Sequence, residues 1–365
     1  MSATGASAIV AEGEPPEAAE VLLAGLTTLH VGGPARRLVT ASTTHEIIDA
    51  ISACDSGGEP VLVLAGGSNL LVGDAGFEGT VVRIATRGIT EDDASACAGV
   101  TLRVAAGEPW DDLVALTVER GLAGIEALSG IPGSTGATPV QNVGAYGQEV
   151  SDTTATVRTW DRQEGRIRTL AAADAEFAYR TSRLKQERFR GGPRFVVLEV
   201  TFQLRMADLG GPVRYAELAR ALGVDVGARA PLVDVREAVL ALRRRKGMVL
   251  DEADHDTWSA GSFFTNPVLN AERAADLPPG APCWPQPDGT VKTSAAWLIE
   301  QAGFGRGFGM PGPAALSTKH TLAVTNRGDA SAADLVRLAR EIRDGVRAAF
   351  GITLEPEPVL VGVQL

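Results

Sequence analysis

The spacing of apolar residues changes along the chain and predicts an alternation of helices and strands. Between Thr43 and Ala53, isoleucines recur at helical spacing behind a threonine that can cap the helix, either Thr43 or Thr44. The same periodicity predicts helices over 111–120, 235–245, 294–302 and 331–350, with Asp234 capping the second of these and Ser331 the last. Short apolar or alternating segments predict strands over 61–64, 80–84, 100–105, 154–160, 167–170, 194–204 and, interrupted by Pro356 and Pro358, 352–365.

Two glycine-rich loops interrupt this pattern in the strand-rich first half. The stretch 130–147, GIPGSTGATPVQNVGAYG, contains five glycines and no charged residue. Glycine lets backbone N–H groups approach a ligand closely and form concave anion sites, so this stretch predicts a loop around a diphosphate or an aromatic cofactor. A tight surface turn is the alternative. The strand at 61–64 likewise runs into GGSN, which predicts either a phosphate-binding loop or a β-turn. The segment lacks the GxGxxG pattern of a Rossmann dinucleotide site.

Composition and charge exclude several classes of function. A length of 365 residues predicts two domains, and the net charge of −11 argues against nucleic-acid binding. The three cysteines and four histidines are scattered, which predicts no disulfide framework, no metal site and a reducing cytoplasmic location. Residues 1–20 are small and acidic and predict a disordered tail, and no apolar run is long enough for a membrane span.

Two short motifs in the second half carry groups that suit catalysis. GSFFTNP places Ser262 and Asn266 around two phenylalanines, which predict core or pocket wall. The motif differs from the G-x-S-x-G of hydrolases, and no Ser-His-Asp pattern accompanies it. Near the C-terminus, LEPEP holds Glu357 between two prolines of fixed φ. This Glu is either a rigidly positioned acid or an exposed carboxylate on an edge strand.

Basic residues form two further candidates. FAYRTSRLK contains Arg180, Arg183 and Lys185, and it predicts either bidentate binding of a carboxylate or a solvated turn. The basic run 243–246 ends a predicted helix, so it suits the helix dipole or local phosphate binding better than a nucleic-acid surface.

Taken in order, these motifs resemble one enzyme family. GGSNLL, GIPGSTGATPVQNVGAYG, YRTS, GSFFTNP, AAWLIEQAGF and LEPE are together similar to the UDP-N-acetylenolpyruvoylglucosamine reductases, flavoenzymes that complete UDP-N-acetylmuramate for bacterial peptidoglycan. The segment VRYAEL around Tyr215 is similar to the subclass with a tyrosine-bearing substrate loop. The chain departs from the family pattern at Thr27-Thr28-Leu29 and at Pro358.

The resemblance implies an α+β fold. One part would be an FAD-binding portion of the vanillyl-alcohol-oxidase (PCMH) type, and the other a separate C-terminal α+β substrate-binding domain. The expected ranges are 1–20 for the tail, 21–206 for the FAD-binding portion in two subdomains, 207–351 for the substrate domain, and 352–365 returning to the FAD-binding portion.

The resemblance also implies non-covalent FAD and NADPH as co-substrate. GGSN would cradle the FAD pyrophosphate, and the longer loop would line the remainder of the cofactor. The expected FAD contacts are Gly66, Gly67, Ser68, Asn69, Leu70, Gly130, Ile131, Pro132, Gly133, Gly136, Ala137, Gln141, Asn142, Val143, Gly144 and Ala145.

For catalysis, the resemblance implies hydride transfer from NADPH to flavin N5 and then to the vinyl CH2 of the sugar nucleotide. Enolate-like negative charge would develop on the neighbouring carbon and its carboxylate. Arg180 would hold the substrate carboxylate, Glu357 would stabilise the intermediate in a protonated or proton-sharing form, and Ser262 would donate the final proton. The expected substrate contacts are Tyr146, Arg180, Tyr215, Lys246, Ser262, Asn266, Gln301 and Glu357.

Two alternatives to the reductase stay open at this point. One is another flavin oxidase of the same cofactor fold, and the other is a nucleotide-sugar-binding protein without catalysis. A flavin-linking histidine near GGSN would favour the oxidase, and none lies between Val61 and Gly79. Loss of Ser262, Arg180 or Glu357 would mark the binding protein, and all three are present. The expected partners are the enolpyruvyl sugar nucleotide and NADPH, with no nucleic acid, no membrane insertion and a monomeric chain.

Overall fold

The computed structural model describes residues 21–95 and 99–365. The predicted acidic tail, 1–20, therefore lies outside the described residues. The helices of the described part are α1 (Thr44–Gly57), α2 (Trp110–Glu119), α3 (Thr138–Gln141), α4 (Arg183–Gln186), α5 (Ala216–Leu222), α6 (Leu232–Arg245), α7 (Ala271–Ala275), α8 (Ala295–Gln301) and α9 (Ala332–Phe350). Single 3-10 turns occur at Leu23–Leu26, Glu126–Leu128, Thr135–Ala137, Val150–Asp152, Ala172–Ala175 and His255–Thr257.

The strands are short outside two sheets in the first half of the chain. Up to residue 171 they are β1 (Val21–Leu22), β2 (Pro34–Ala41), β3 (Val61–Leu64), β4 (Leu70–Val72), β5 (Phe77–Ile84), β6 (Ile89–Ser95), β7 (Gly99–Ala105), β8 (Leu122–Ala123), β9 (Gly144–Ala145), β10 (Gln148–Glu149), β11 (Thr154–Asp161) and β12 (Arg166–Ala171). The remaining strands are β13 (Arg188–Phe189), β14 (Gly192–Pro193), β15 (Phe195–Met206), β16 (Val268–Leu269), β17 (Cys283–Pro285), β18 (Val291–Thr293), β19 (Ala314–Leu316), β20 (Val324–Asn326) and β21 (Val359–Val361).

Two sheets of different type form the first half. The first has the order β1-β2-β5-β3, and its β2, β5 and β3 run parallel. The second has the order β12-β11-β15-β7-β6 and is antiparallel throughout. Both sheets contribute to one apolar core together with α1 and α2, in which Ile51, Val82, Trp110 and Phe202 are fully buried. The shared core fixes the end of β3, which carries the shorter glycine loop, and the 3-10 turn Glu126–Leu128, which precedes the longer one.

The second half of the chain packs around a separate core. Helix α9 presents Leu335, Ala339 and Ile342 at helical spacing, and these bury against Phe263 and Leu298. Leu29 and Leu71, from the first half of the chain, belong to the same core. The segment 213–242, with α5 and α6, instead forms a small cluster of its own that includes Ala127.

Two contacts join the halves close to the glycine loop of residues 66–69. The last strand, β21, pairs in parallel with β4, which follows this loop directly. Next to it, Asp74 accepts hydrogen bonds from the N–H groups of Ala332 (2.7 Å) and Ala333 (3.0 Å) at the start of α9. The last strand and the start of α9, both from the second half of the chain, are thereby held beside the loop.

Most predicted elements are present, and their bounds agree within a few residues. Thr43 caps α1 by accepting from the Glu46 N–H, and Ser331 caps α9 in a reciprocal capping box with Asp334. Asp234 is not a cap, which corrects the prediction: α6 begins at Leu232 after Pro231, so Asp234 lies in the first turn, where an acid still suits the dipole.

The terminal strand is also shorter than predicted. Of 352–365 only Val359–Val361 forms a strand, because Pro356 and Pro358 have no N–H to donate to a ladder. Two longer strands, β2 and β6, were not predicted, since the sequences PARRLVTA and ITEDDAS carry many polar residues. Among the described helices, none combines the length and apolar character needed to cross a membrane.

Candidate active site

The two glycine-rich loops meet backbone to backbone. A Cβ on Gly66 would lie 2.6 Å from the Cα of Gly133, so only glycine fits there. Gly67 has a left-handed backbone (φ 64°), and its Cβ would collide with the carbonyl of Leu26. Ser68 Oγ donates to the carbonyl of Pro132 (2.9 Å) and fastens one loop to the other. The two loops are thereby held against each other at the edge of the site.

A cavity of about 420 Å³ lies beside the shorter loop. It is bounded by the end of β3, by the beginning of β15 and by β21, so both halves of the chain contribute to it. Its volume lies in the range typical of cofactor and small-molecule sites. The residues predicted to contact FAD that line it are Gly66, Gly67, Ser68, Asn69, Leu70, Gly136, Ala137 and Gln141.

A smaller cavity of about 180 Å³ shares Ser68, Asn69 and Gln141 with the larger one. It brings together Arg180, Ser262 and Glu357, the three residues predicted to be catalytic, from positions up to 177 residues apart in the sequence (357 − 180). Its other lining residues are Ile131, Pro132, Gly133, Ser134, Ala137, Thr138, Val143, Gly144, Arg243, Met248, Ala260 and Gly261.

Glu357 is held from two sides by its backbone. Its N–H donates to the carbonyl of Phe263 (2.8 Å), and its own carbonyl accepts from Asn69 Nδ2 (3.4 Å). Phe263 and Phe264 are fully buried, as predicted for core residues, and they anchor the loop that presents Ser262. Burial raises the pKa of the Glu357 carboxyl, and Arg180 acts in the opposite direction. The rigidity predicted for Glu357 therefore comes with a carboxyl that holds its proton more readily than an exposed one.

Arg180 adopts an uncommon backbone conformation. Its φ is 55°, which costs an L-residue roughly 1–2 kcal/mol and marks a position constrained by its surroundings. Its guanidinium donates to the carbonyl of Gly144 (Nη2, 2.7 Å) and, more weakly, to that of Asn142 (Nη1, 3.4 Å). Arg180 Nε lies 3.2 Å from Glu357 Oε1, but its N–H makes no hydrogen bond. One buried donor of this partly exposed cation thus has no hydrogen-bond partner at the cavity.

Three buried polar atoms that line these cavities have no hydrogen-bond partner in the described part of the chain. They are Ser134 Oγ, Arg180 Nε and Arg243 Nε. An unpaired buried donor costs about 1–3 kcal/mol, and a ligand with acceptor groups would remove that cost. Free donors beside a glycine cradle fit an extended cofactor with a diphosphate and a polar ring, such as FAD.

Arg243 is a residue that the sequence did not single out from its basic run. Its guanidinium faces the smaller cavity, and burial lowers its pKa to about 10. Its Nη2 donates to the carbonyl of Met248 (2.8 Å). The nearby carboxylate of Asp111 is already bound by both Nη atoms of Arg236. Helical periodicity could have indicated that Arg243 follows Val239 and Leu242 toward the interior, unlike its neighbour Arg244.

The predicted substrate contacts Tyr146, Tyr215 and Lys246 form a second group. The tyrosine rings meet edge to face at 6.3 Å, and Lys246 Nζ lies 5.8 Å from the centre of the Tyr146 ring. The same ammonium donates to Glu217 Oε2 at 2.5 Å, so in this arrangement Lys246 is neutralised by a neighbour of Tyr215. Tyr215 is 52% exposed.

The other predicted contacts do not line the two cavities, and their roles stay predictions. Gly130 packs against Leu240, and Asn142 donates to Glu149 and to the carbonyl of Ala178. Ala145 pairs with Gln148 in a two-stranded ribbon. Asn266 accepts from the Ala295 N–H at the start of α8, and Gln301 is exposed at the end of that helix. Within 21–95 and 99–365, no group of three or more His, Cys, Asp or Glu is placed to hold a metal.

Comparison with known families matches two parts of the chain. Residues 35–171 match a family described as "FAD binding domain", and residues 252–361 match "UDP-N-acetylenolpyruvoylglucosamine reductase, C-terminal domain". The first range contains both glycine loops, and the second contains the Ser262 loop and Glu357. These matches confirm the predicted fold class.

Similar proteins cover nearly the whole chain. The UDP-N-acetylenolpyruvoylglucosamine reductase of Cutibacterium acnes is 56% identical over 345 residues, which is 94% of this chain and 90% of that protein. The protein of the same name from Streptomyces coelicolor is 57% identical over 354 residues, again 94% and 90%. The crystal structure of the reductase from Thermus caldophilus is similar with a TM-score of 0.63, at 27% identity, over 94% of this chain and 98% of that one.

Proposed function

The chain belongs to the UDP-N-acetylenolpyruvoylglucosamine reductase family, and we propose that its two cavities are where it reduces its substrate. The reaction converts the enolpyruvyl ether of UDP-N-acetylglucosamine to UDP-N-acetylmuramate. The protein is an FAD-dependent reductase of peptidoglycan precursor synthesis. NADPH is the proposed electron donor. The expectation from the motifs and the family membership agree, and the oxidase and the non-catalytic binding protein are left as outcomes of the test below.

The larger cavity is the proposed FAD site. Gly66, Gly67 and Ser68 would meet the diphosphate with backbone N–H groups, and the end of the longer loop would border the ring system. Ser134 and Arg243 would give their unpaired donors to the cofactor or to the substrate beside it. Bound FAD would supply the transfer of a hydride equivalent from NADPH to the vinyl CH2 of the substrate.

The smaller cavity is the proposed place of the reaction. Arg180 would pair with the substrate carboxylate, where negative charge grows as the double bond is reduced. Glu357, whose pKa is raised by burial, would carry or share a proton and so avoid repulsion with that charge. Ser262 would donate a proton to the carbon next to the carboxylate, which completes the addition of one hydride and one proton.

A single observation carries this proposal: Arg180, Ser262 and Glu357 line one cavity that the two glycine loops close from the other side. A structural role alone does not require a half-buried arginine with an unpaired donor, a half-buried carboxyl and a hydroxyl at the same place.

The test is an absorption spectrum of the purified protein under anaerobic conditions. We expect flavin bands that bleach on adding NADPH and return on adding the enolpyruvyl sugar nucleotide. Bleaching without return would contradict the proposed substrate and favour an oxidase. Protein that carries no flavin and takes up no added FAD would contradict the reductase altogether and leave the binding protein.

A further inference from the structure

Lys185 is a partly buried cation for which the proposed mechanism has no role. It lies in α4, five residues after Arg180, and it lines the larger cavity. Its ammonium donates to Gln141 Oε1 at 2.8 Å and to the main-chain carbonyl of Arg180 at 3.3 Å. Both acceptors are uncharged oxygens that belong to residues of the smaller cavity.

The first contact decides which end of the Gln141 amide faces Glu357. An ammonium can only donate, so the amide oxygen must point at Lys185. The amide nitrogen then points the other way and lies 3.4 Å from Glu357 Oε1, where it donates. Without Lys185 the amide could rotate and present its oxygen to the carboxylate, which would replace an attraction by a repulsion.

The second contact supports the strained backbone of Arg180. The carbonyl that Lys185 binds belongs to the residue with φ 55°, and this residue places its Nε 3.2 Å from the same Glu357 oxygen. One ammonium therefore constrains both members of the Arg180–Glu357 pair, one through its backbone and the other through Gln141.

The charge of Lys185 also acts on Glu357. Burial raises the pKa of Glu357, and the positive charges of Arg180 and Lys185 oppose that rise, while Gln141 donates to the carboxylate. Tyr179, whose own pKa is raised by burial, is a further titratable group near this carboxyl. Burial lowers the pKa of Lys185 itself. Removal of this ammonium should therefore raise the pKa of Glu357 further.

We infer that Lys185 is a positioning residue for reduction of the sugar nucleotide, which keeps Arg180 and the Gln141–Glu357 contact aligned in the cavity. The inference rests on the proposed function. Loss of Lys185 should therefore affect one half of the reaction more than the other. In the proposed mechanism, oxidation of NADPH does not use Arg180 or Glu357, whereas reduction of the enolpyruvyl group uses both.

The test compares Lys185→Met and Lys185→Arg with wild type in stopped-flow measurements of each half-reaction over a series of pH values. For Lys185→Met we expect flavin reduction by NADPH to stay near the wild-type rate and reoxidation by the sugar nucleotide to slow by roughly 10²-fold, as a small misplacement of reacting groups can cause. The pH limb that reports Glu357 should move to higher pH. Lys185→Arg, which keeps charge and donors, should recover most of the rate.

Two further variants separate positioning from folding. Arg183→Met removes a cation from the same helix that pairs with Glu187, and it should leave the pH limb of reoxidation in place. In a protein that already carries Gln141→Met, Lys185→Met should slow flavin reoxidation by a smaller factor than it does in wild type, because part of the effect of Lys185 passes through the Gln141 amide. FAD content and the unfolding temperature are measured for every variant.

Equal slowing of both half-reactions, an unmoved pH limb, or full additivity with Gln141→Met would overturn the inference and leave the proposed function intact. Failure of the wild-type flavin to be reoxidised by the sugar nucleotide would instead overturn the proposed function, and the role of Lys185 with it.

Discussion

At the scale of single residues, the candidate site brings together a serine, an arginine and a glutamate, and burial alters the chemistry of the glutamate by raising its pKa. A serine hydroxyl is a weak acid in water, and Ser262 can act as a proton donor only in surroundings that favour the transfer. Arg180 and Glu357 provide such surroundings in the same cavity: a cation beside the place where charge develops and a carboxyl with a raised pKa. The roles of these residues are therefore best tested one half-reaction at a time.

Ser262→Ala should leave flavin reduction by NADPH nearly unchanged and slow reoxidation by the sugar nucleotide by several powers of ten, because only the second step needs its proton. Rapid-mixing absorbance of the two half-reactions measures this difference. Thr265→Ala, which removes a hydroxyl from the same loop outside the smaller cavity, is the control. A comparable loss in both half-reactions would contradict the role of Ser262 as proton donor.

Glu217→Gln should lower the KM for the sugar nucleotide several-fold with little effect on kcat. Its carboxylate binds Lys246, and the proposed contact of Lys246 with the substrate phosphates has to compete with this pair. Steady-state kinetics on both substrates measures the effect, with Glu237→Gln, an exposed acid on α6, as the charge-matched control. An unchanged or higher KM would show that the pair does not oppose binding.

At the scale of elements, α9 shows how one helix terminus joins the two halves of the chain. The first N–H groups of a helix have no partner within it. Here Ser331 and Asp334 satisfy two of them reciprocally, and Asp74 accepts from Ala332 and Ala333. Asp74 lies just beyond β4, so the cap also holds α9 against the strand that follows the glycine loop.

Asp74→Ala should lower the free energy of unfolding by about 1 kcal/mol, the usual cost of losing a helix cap. Urea denaturation followed by far-UV circular dichroism measures this change. Asp329→Ala removes an exposed acid shortly before the same helix and should have a smaller effect. If the two variants lose equal stability, general charge rather than capping at α9 is the cause.

At the scale of the whole molecule, several buried carboxylates depend on being ionised. Asp256 is 4% exposed and accepts from the Thr318 backbone, the Thr318 hydroxyl and Arg327, and these bonds lower its pKa against the opposing effect of burial. Asp161 is held in the same way by Arg194. A folded-state pKa below the unfolded value means stability that is present at neutral pH and is lost as the pH falls through the folded pKa.

The melting temperature should therefore fall steeply once the pH drops below about 4, near the unfolded pKa of Asp. Asp256→Asn should lower the free energy of unfolding by about 3–5 kcal/mol at neutral pH, since it leaves Arg327 partly buried without its counter-charge. The melting temperature of this variant should also fall less steeply with acid than that of wild type. Calorimetry from neutral to acid pH measures both effects, with the exposed Asp276→Asn as control. An acid limb identical to wild type would contradict the contribution of Asp256.

The sequence by itself determined most of the longer helices and strands and the identity of the chemical groups. Periodicity and capping residues were sufficient for α1 and α9, because Thr43 and Ser331 act on N–H groups within the next turn. The order of the short motifs determined the family, because glycines at fixed spacing, an arginine, a serine and a glutamate serve one reaction.

Only the tertiary structure decided which of those groups meet. Arg243 looks in the sequence like the other basic residues of its run, and the sequence left Lys185 either near a bound carboxylate or in a solvated turn. The places of both at the cavities depend on packing between elements far apart in the chain. The same holds for Asp74, whose partner helix begins 258 residues later. Local sequence determines local hydrogen bonds, whereas the raised pKa of the Glu357 carboxyl and the unpaired donors at the cavities arise where distant segments exclude water together.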